Sequence, residues 1–180
     1  VDLSNVFIGD HNFAATAPTD TGVAISEDDA TVDIDDSTIA GGTGDGVSTA
    51  AGAVTITDSD IENNDDDGVD AQSAANGVTI SDTNVTSNGL GVDATAAGGA
   101  HEIVVNESSL IDGNTVLVDS GQVTLTVTEA TVANSDVGVQ IDSADIDSTI
   151  EQTTFDANNV GLAVNAIAED LTVTNNAFYG

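Results

Sequence analysis

Residues 54–70 read VTITDSDIENNDDDGVD. Val54 and Ile56 alternate with polar residues, Ile61 follows five positions on, and an acid- and amide-rich run then leads to Gly68-Val69. The pattern returns at residues 78–93, VTISDTNVTSNGLGVD, and again at residues 125–142, LTVTEATVANSDVGVQID. Apolar residues at a period of two mark a strand with one buried face, and clusters of Gly, Asn and Asp mark turns. Units this short cannot bury their own apolar faces. Stacked on one another, they can.

One template runs through the chain. Its first strand carries an apolar pair: Val1/Leu3, Val32/Ile34, Val54/Ile56, Val78/Ile80, Ile103/Val105, Leu125/Val127, Ser148/Ile150 and Leu171/Val173. Five residues later stands a second inward position, at Ile8, Ile39, Ile61, Val85, Leu110, Val132, Phe155 and Phe178. Gly followed by an aliphatic residue marks a third strand at Gly46-Val47, Gly68-Val69, Gly91-Val92, Gly138-Val139 and Gly161-Leu162. In the first unit Gly22-Val23 arrives late, and in the fifth Val116 takes the glycine's place. The pattern predicts an all-β parallel solenoid of about eight coils, 22–25 residues per coil, as a single domain over 1–180 with an insertion loop at 9–21 in the first coil. Asn64, Asn88 and Asn158, with Asn114 and Asn134 within one residue of the same place, suit a tight turn, because Asn tolerates left-handed backbone and can hydrogen-bond along a stack.

The charge is as regular as the strands. The chain has 32 Asp plus Glu and no Lys or Arg, a formal net charge of -32. That excludes nucleic acid and anionic lipid as partners, since both are bound through positive charge. So many uncompensated carboxylates belong in molar salt, where the Debye length falls to about 3 Å and mutual repulsion is screened. The expected source is a halophilic archaeon. There is no Cys to staple the fold. No apolar run is long enough to span a bilayer and no basic-then-apolar leader stands at the start, so this segment is expected neither to insert in a membrane nor to carry its own signal peptide. A start at Val1 without Met is expected of a mature chain or of a segment of a longer protein.

The unit VTITDSDIENN…GV resembles the short repeat of the right-handed parallel β-helix in the pectate-lyase-like superfamily, and the resemblance runs from end to end of the chain. It implies right-handed coils. It leaves function open, because such helices serve as lyases, hydrolases, tailspikes, adhesins and surface-layer parts. The lyases of that superfamily use an Arg base beside Ca²⁺-binding Asp residues, and its galacturonases use Asp residues with a His-Gly and an Arg-x-Lys. Here there is no Arg or Lys, and the two histidines stand in His11-Asn12 and His101-Glu102. The expectation is a non-enzyme.

Three sets of residues remain as candidate sites. The fifth residue of VTITDSDI recurs down the stack as Asn5, Asp36, Asp58, Asp82, Glu107, Glu129, Gln152 and Asn175. Its five consecutive carboxylates read either as a solvated face or as a row that holds Ca²⁺ or alkali cations. Of two acidic turns, Glu27-Asp28-Asp29 and Asp65-Asp66-Asp67, the second is the better Ca²⁺ candidate because Asp45 stands one coil before it. No cofactor is required. Asn84-Val85-Thr86 and Asn106-Glu107-Ser108 match the N-glycosylation acceptor, and Phe7, Phe13, Phe178 and Tyr179 near the two ends are candidates for end-to-end assembly. The expected role is an extracellular structural or adhesive rod, part of a surface protein or filament, partnered by its own copies, other surface proteins or glycans. A tailspike-like glycoside hydrolase and a Ca²⁺-binding surface module are the alternatives.

Overall fold

In the computed structural model, residues 1–4, 7–9, 21–26, 30–71, 77–94, 101–107, 109–113, 115–118, 123–142, 147–165 and 170–180 are described. Short strands run through them in a repeating order of three and pair only with the equivalent strands of neighbouring units. Two parallel sheets have eight strands each and a third has seven. The first sheet begins at Asp2–Ser4 and ends at Leu171–Thr174, the second runs from Phe7–Gly9 to Ala177–Tyr179, and the third from Val23–Ile25 to Val160–Val164. Strands of three-sided coils run from residue 2 to residue 164, and the last coil adds Leu171–Thr174 and Ala177–Tyr179 to the first two sheets. Among the described residues no helix is long and apolar enough to cross a membrane. The insertion expected over 9–21 lies, apart from its two ends, outside the described residues, as do Asn5, Phe13 and Glu27-Asp28-Asp29.

Register explains the columns. Val54, Val78 and Ile103 are in-register neighbours on the first sheet, as are Ile56, Ile80 and Val105, and all are at most 2% exposed. On the second sheet the fifth coil departs from the expected spacing. Val85 stands opposite Ile111, which is fully buried, while Leu110 sits beside Asn84 and is half-buried. The cause is one extra residue in the first turn of that coil, since Ser109 Oγ bonds the carbonyl of Asn106 three residues back where the other coils reach two. On the third sheet Val116 pairs with Val92 and with Val139, so Thr115, not Val116, holds the glycine position of the fifth coil.

The two turns that join the sheets are built differently. At the first, Asp36, Asp58, Asp82, Glu107, Glu129, Gln152 and Asn175 all have φ between 45° and 56°. The acidic column is therefore a column of left-handed backbone, a conformation in which Asp and Asn are several-fold enriched over other non-glycine residues. At Ser37, Ser59, Thr83 and Thr153 the next residue turns inward as a hydroxyl, in a ladder that the sequence pattern did not suggest and that Ala130 interrupts. The Ser37 N–H donates to Ser59 Oγ at 3.2 Å, Ser59 N–H to Thr83 Oγ1 at 3.3 Å, and Thr153 N–H to Asn176 Oδ1 at 2.8 Å.

The second turn carries the asparagine column. Gly42 N–H donates to Asn64 Oδ1 (3.1 Å), and the Asn64 backbone and side-chain nitrogens both donate to Asn88 Oδ1 (3.0 and 2.9 Å). Ser135 N–H donates to Asn158 Oδ1 at 2.9 Å. The left-handed residue, however, is the one before: Asn63, Ser87, Gly113, Asn134 and Ala157. The ladder amides are there for their hydrogen bonds, not for a left-handed backbone. Asn114 lies outside the described residues.

This ladder accounts for the glycines. A Cβ on Gly68 would stand 2.6 Å from Val85 Cγ1, 2.8 Å from Asn88 Nδ2 and 2.8 Å from the Gly91 carbonyl oxygen. Gly46 is enclosed in the same way by Ile61, Asn64 and Gly68. At the far end Phe155 and Phe178 stack with ring centroids 4.7 Å apart, Phe178 and Tyr179 are 56% and 61% exposed, and Val160 and Val173 are exposed beside them.

Two substitutions test this packing. Gly68→Ala is expected to lower stability by about 1–3 kcal/mol through overpacking. Conversely, among the described residues Ser148 Oγ is buried without a hydrogen-bond partner, in a column whose neighbours are Leu125 and Leu171. Ser148→Val is expected to raise stability by about 1 kcal/mol. Chemical unfolding midpoints measure both, and a stabilising Gly68→Ala or a destabilising Ser148→Val would contradict the register.

Candidate metal centre

Five carboxylates converge on the third sheet and the turn that precedes it. Asp45 and Asp67 each stand immediately before a glycine of the packed column, and the two are tied together: Gly46 N–H donates to the Asp67 carbonyl at 2.8 Å and Asp67 N–H donates to Asp45 Oδ1 at 3.3 Å. Asp66 lies in the same turn, where its carbonyl accepts from Gly89 N–H at 2.7 Å. A Cβ on Gly89 would come within 2.9 Å of that oxygen, so the close approach requires glycine.

The other two come from the strands themselves. Asp70 in Val69–Asp70 pairs in register with Asp93 in Val92–Asp93, with Ser48 one coil before and Leu117 one coil after. Ser48 Oγ donates to Asp70 Oδ2 at 3.0 Å. The strand Val92–Asp93 is buried on both faces.

Two triads result, sharing Asp67. Carboxylate oxygens of Asp45, Asp66 and Asp67 lie within 4.8 Å of one another, and so do those of Asp67, Asp70 and Asp93. Asp67 and Asp93 are each only 7% exposed. Among the described residues nothing cationic answers them: the chain has no Lys or Arg, and the amino terminus donates to the Thr31 carbonyl. Burial and the nearby Asp93 and Asp66 charges push the Asp67 carboxyl up to about 7. Burial, then Asp70, raises Asp45 to about 6. Hard divalent cations take such all-oxygen sets, Ca²⁺ with six to eight ligands at roughly 2.4 Å.

The expected site residues fall on either side of this cluster. Asp66 and Asp67 lie in it together with Asp45, while Asp65 is exposed and stands outside both triads. Asp36, Asp58, Asp82, Glu107 and Glu129 are all exposed, and among the described residues they form no group of three. Their shared position comes from the turn backbone. Asp70 and Asp93 are not among the expected residues, although the triplets Gly68-Val69-Asp70 and Gly91-Val92-Asp93 at the same place in consecutive units were a readable signal. Of the glycosylation candidates, Asn84 is exposed with Nδ2 donating to Asp60 Oδ1 at 2.8 Å, and Asn106 is half-buried, its Oδ1 accepting from Ser81 Oγ. Ser108 of the second acceptor lies outside the described residues, as do His11 and the side chains of Phe7 and His101.

The outward face elsewhere handles charge differently. Carboxylates of one coil accept from amide side chains of the next: Asn134 Nδ2 to Asp112 Oδ1 at 2.7 Å, Asn159 Nδ2 to Asp136 Oδ1 at 2.8 Å, and Gln152 Nε2 to Glu129 Oε1 at 3.3 Å. Neutral donors are interleaved where a second carboxylate would repel.

The family model described as "Right handed beta helix region" matches residues 21–180. Searches of curated proteins and of solved structures give no match.

The raised carboxyls give a pH dependence of definite sign. Asp67 and Asp45 hold protons in the folded chain at pH values where the unfolded chain has lost them, so ionisation costs stability as pH rises from about 4 to about 7. Without divalent cations, the midpoint of thermal unfolding is expected to fall across that window. Asp67→Asn, which keeps the shape and removes the charge facing Asp45, Asp66, Asp70 and Asp93, should flatten the fall. An unchanged slope in the variant would show that Asp67 is not the group responsible.

Proposed function

The chain belongs to the right-handed β-helix family, and on that footing we propose that it is a stiff, non-enzymatic rod in a surface protein or filament of a halophilic archaeon, working outside the cell in concentrated salt. The observation that supports this reading best is the treatment of charge. Thirty-two acidic residues stand without one Lys or Arg, and outward carboxylates are spaced by amides from adjacent coils instead of being paired with cations. Such a surface stays hydrated and soluble when salt screens its repulsion. Stiffness follows from the pairing, since each internal coil is hydrogen-bonded to two others on three sides. An exposed apolar end, with Phe178, Tyr179, Val160 and Val173 uncovered, suits extension by a further coil through the same parallel pairing.

Glycoside hydrolysis, the main alternative, needs a protonated carboxyl in contact with the glycosidic oxygen and a second carboxylate about 5 or about 6.5–9.5 Å away. Asp67 has the raised pKa that such an acid needs. It is nevertheless 7% exposed, inside the wall between Asp45 and Asp93. A carboxyl placed there is poorly presented to a polysaccharide.

Salt dependence is the test of the rod reading. Dialysis below about 0.5 M salt should abolish the strand signal in circular dichroism, because repulsion grows as the screening length increases. Full strand signal in about 20 mM buffer would defeat the halophilic reading.

A further inference from the structure

We propose that Asp45, Asp66, Asp67, Asp70 and Asp93, as two adjoining triads that share Asp67, bind hard divalent cations of the calcium type and so tie three successive coils together. The carboxylates come from three neighbouring rungs: Asp45 from the coil containing Thr31–Asp35, Asp66, Asp67 and Asp70 from the coil containing Ala53–Thr57, and Asp93 from the coil containing Val78–Ser81. An ion held among them crosslinks backbone segments that otherwise meet only through strand pairing.

Proximity of acids does not carry this by itself, since acidic clusters are common on such a surface. The second observation is the state of Asp67. It is 7% exposed and belongs to both triads, so its carboxylate points into the middle of the cluster. Its backbone N–H and carbonyl are both bonded, but among the described residues no donor reaches its side-chain oxygens. A buried carboxylate without a donor is costly unless it loses its charge or gains a cation. Other carboxylates show what this fold does when no ion is intended: Asp60, Asp112 and Asp136 accept from Asn84, Asn134 and Asn159 on the adjacent coil. At the cluster Ser48 Oγ donates to Asp70 Oδ2, but adjacent coils also set carboxylate beside carboxylate. Asp70 stands opposite Asp93, and Asp67 lies against Asp45.

The geometry favours calcium over magnesium. Ca²⁺ accepts six to eight oxygens at roughly 2.3–2.6 Å in adaptable geometry, so two oxygens across the ion lie at most about 5 Å apart. Oxygens in each triad lie within 4.8 Å of one another. Mg²⁺ demands near-ideal octahedral geometry at roughly 2.1 Å and keeps much of its water, which side chains held on separate strands supply poorly.

The test uses the whole chain, chelator-stripped, in constant molar NaCl at neutral pH. CaCl₂ and MgCl₂ are titrated separately by calorimetry. The expected result is saturable Ca²⁺ binding, at least tenfold tighter than for Mg²⁺. Asp93→Asn should weaken it at least tenfold, as should Asp67→Asn, while Asp58→Asn in the exposed first-turn row should leave it unchanged. Both cluster variants remove repulsion, so circular dichroism is expected to show them folded. If one fails to fold, the other decides. Absence of saturable binding, equal response to the two ions, or equal loss in Asp58→Asn would each overturn the proposal and leave a solvated acidic cluster only.

Discussion

Each strand residue inside the stack must tolerate a counterpart one rung away. Parallel strands stack at about 4.8 Å, and the in-register pairing carries each coil position directly onto the same position of the next. Apolar groups satisfy the constraint easily, so Ile34, Ile56 and Ile80 form a continuous column. Amides satisfy it through ladders, as Asn64 and Asn88 do, because one side chain offers both a donor and an acceptor along the stack. Side chains can be excluded altogether: the Asn64 and Asn88 amides come so close to Gly46 and Gly68 that no Cβ fits.

Carboxylates satisfy it worst. Like charges stacked at one rung repel by about 1 kcal/mol even in bulk water, and by more where water is excluded. The fold answers in two ways. On open faces it alternates acid with amide between coils, as in Asp112 with Asn134 and Asp136 with Asn159. At the third sheet it does the reverse and stacks Asp70 on Asp93 with Asp67 beside them. The contrast between these two treatments within one chain, more than the acidity as such, distinguishes the cluster from the rest of the surface.

The first-turn acids show how a column can look chemical for conformational reasons. Asp36, Asp58 and Asp82 are followed by Glu107, Glu129, Gln152 and Asn175, all at positive φ. Asp and Asn are the residues that bear this backbone most readily after glycine. Carboxylate at this position is what an acidic composition supplies to a left-handed turn. Immediately inside it, the buried backbone N–H groups of Ser37, Ser59 and Thr83 donate to the hydroxyls of Ser59, Thr83 and Ser109, and that of Thr153 to Asn176 Oδ1.

The strands, their parallel stacking and most inward columns were legible in the sequence, because a solenoid converts linear period into spatial neighbourhood and apolar alternation reports burial directly. Charge and the lack of Lys and Arg were equally legible. What the sequence could not supply was register at single-residue precision. One added residue before Ser109 moves burial from Leu110 to Ile111, and Thr115 rather than Val116 stands in the glycine column. Nor could spacing separate the left-handed Asn63 from the ladder-forming Asn64 beside it. The acidic cluster divides in the same way. Asp66 and Asp67 announce themselves as a run, but Asp70 and Asp93 join them through strand pairing and Asp45 through the turn of the preceding coil. Local pattern determines which face of a strand a residue occupies. Only the hydrogen-bonded superposition of coils decides which carboxylates share one volume of space.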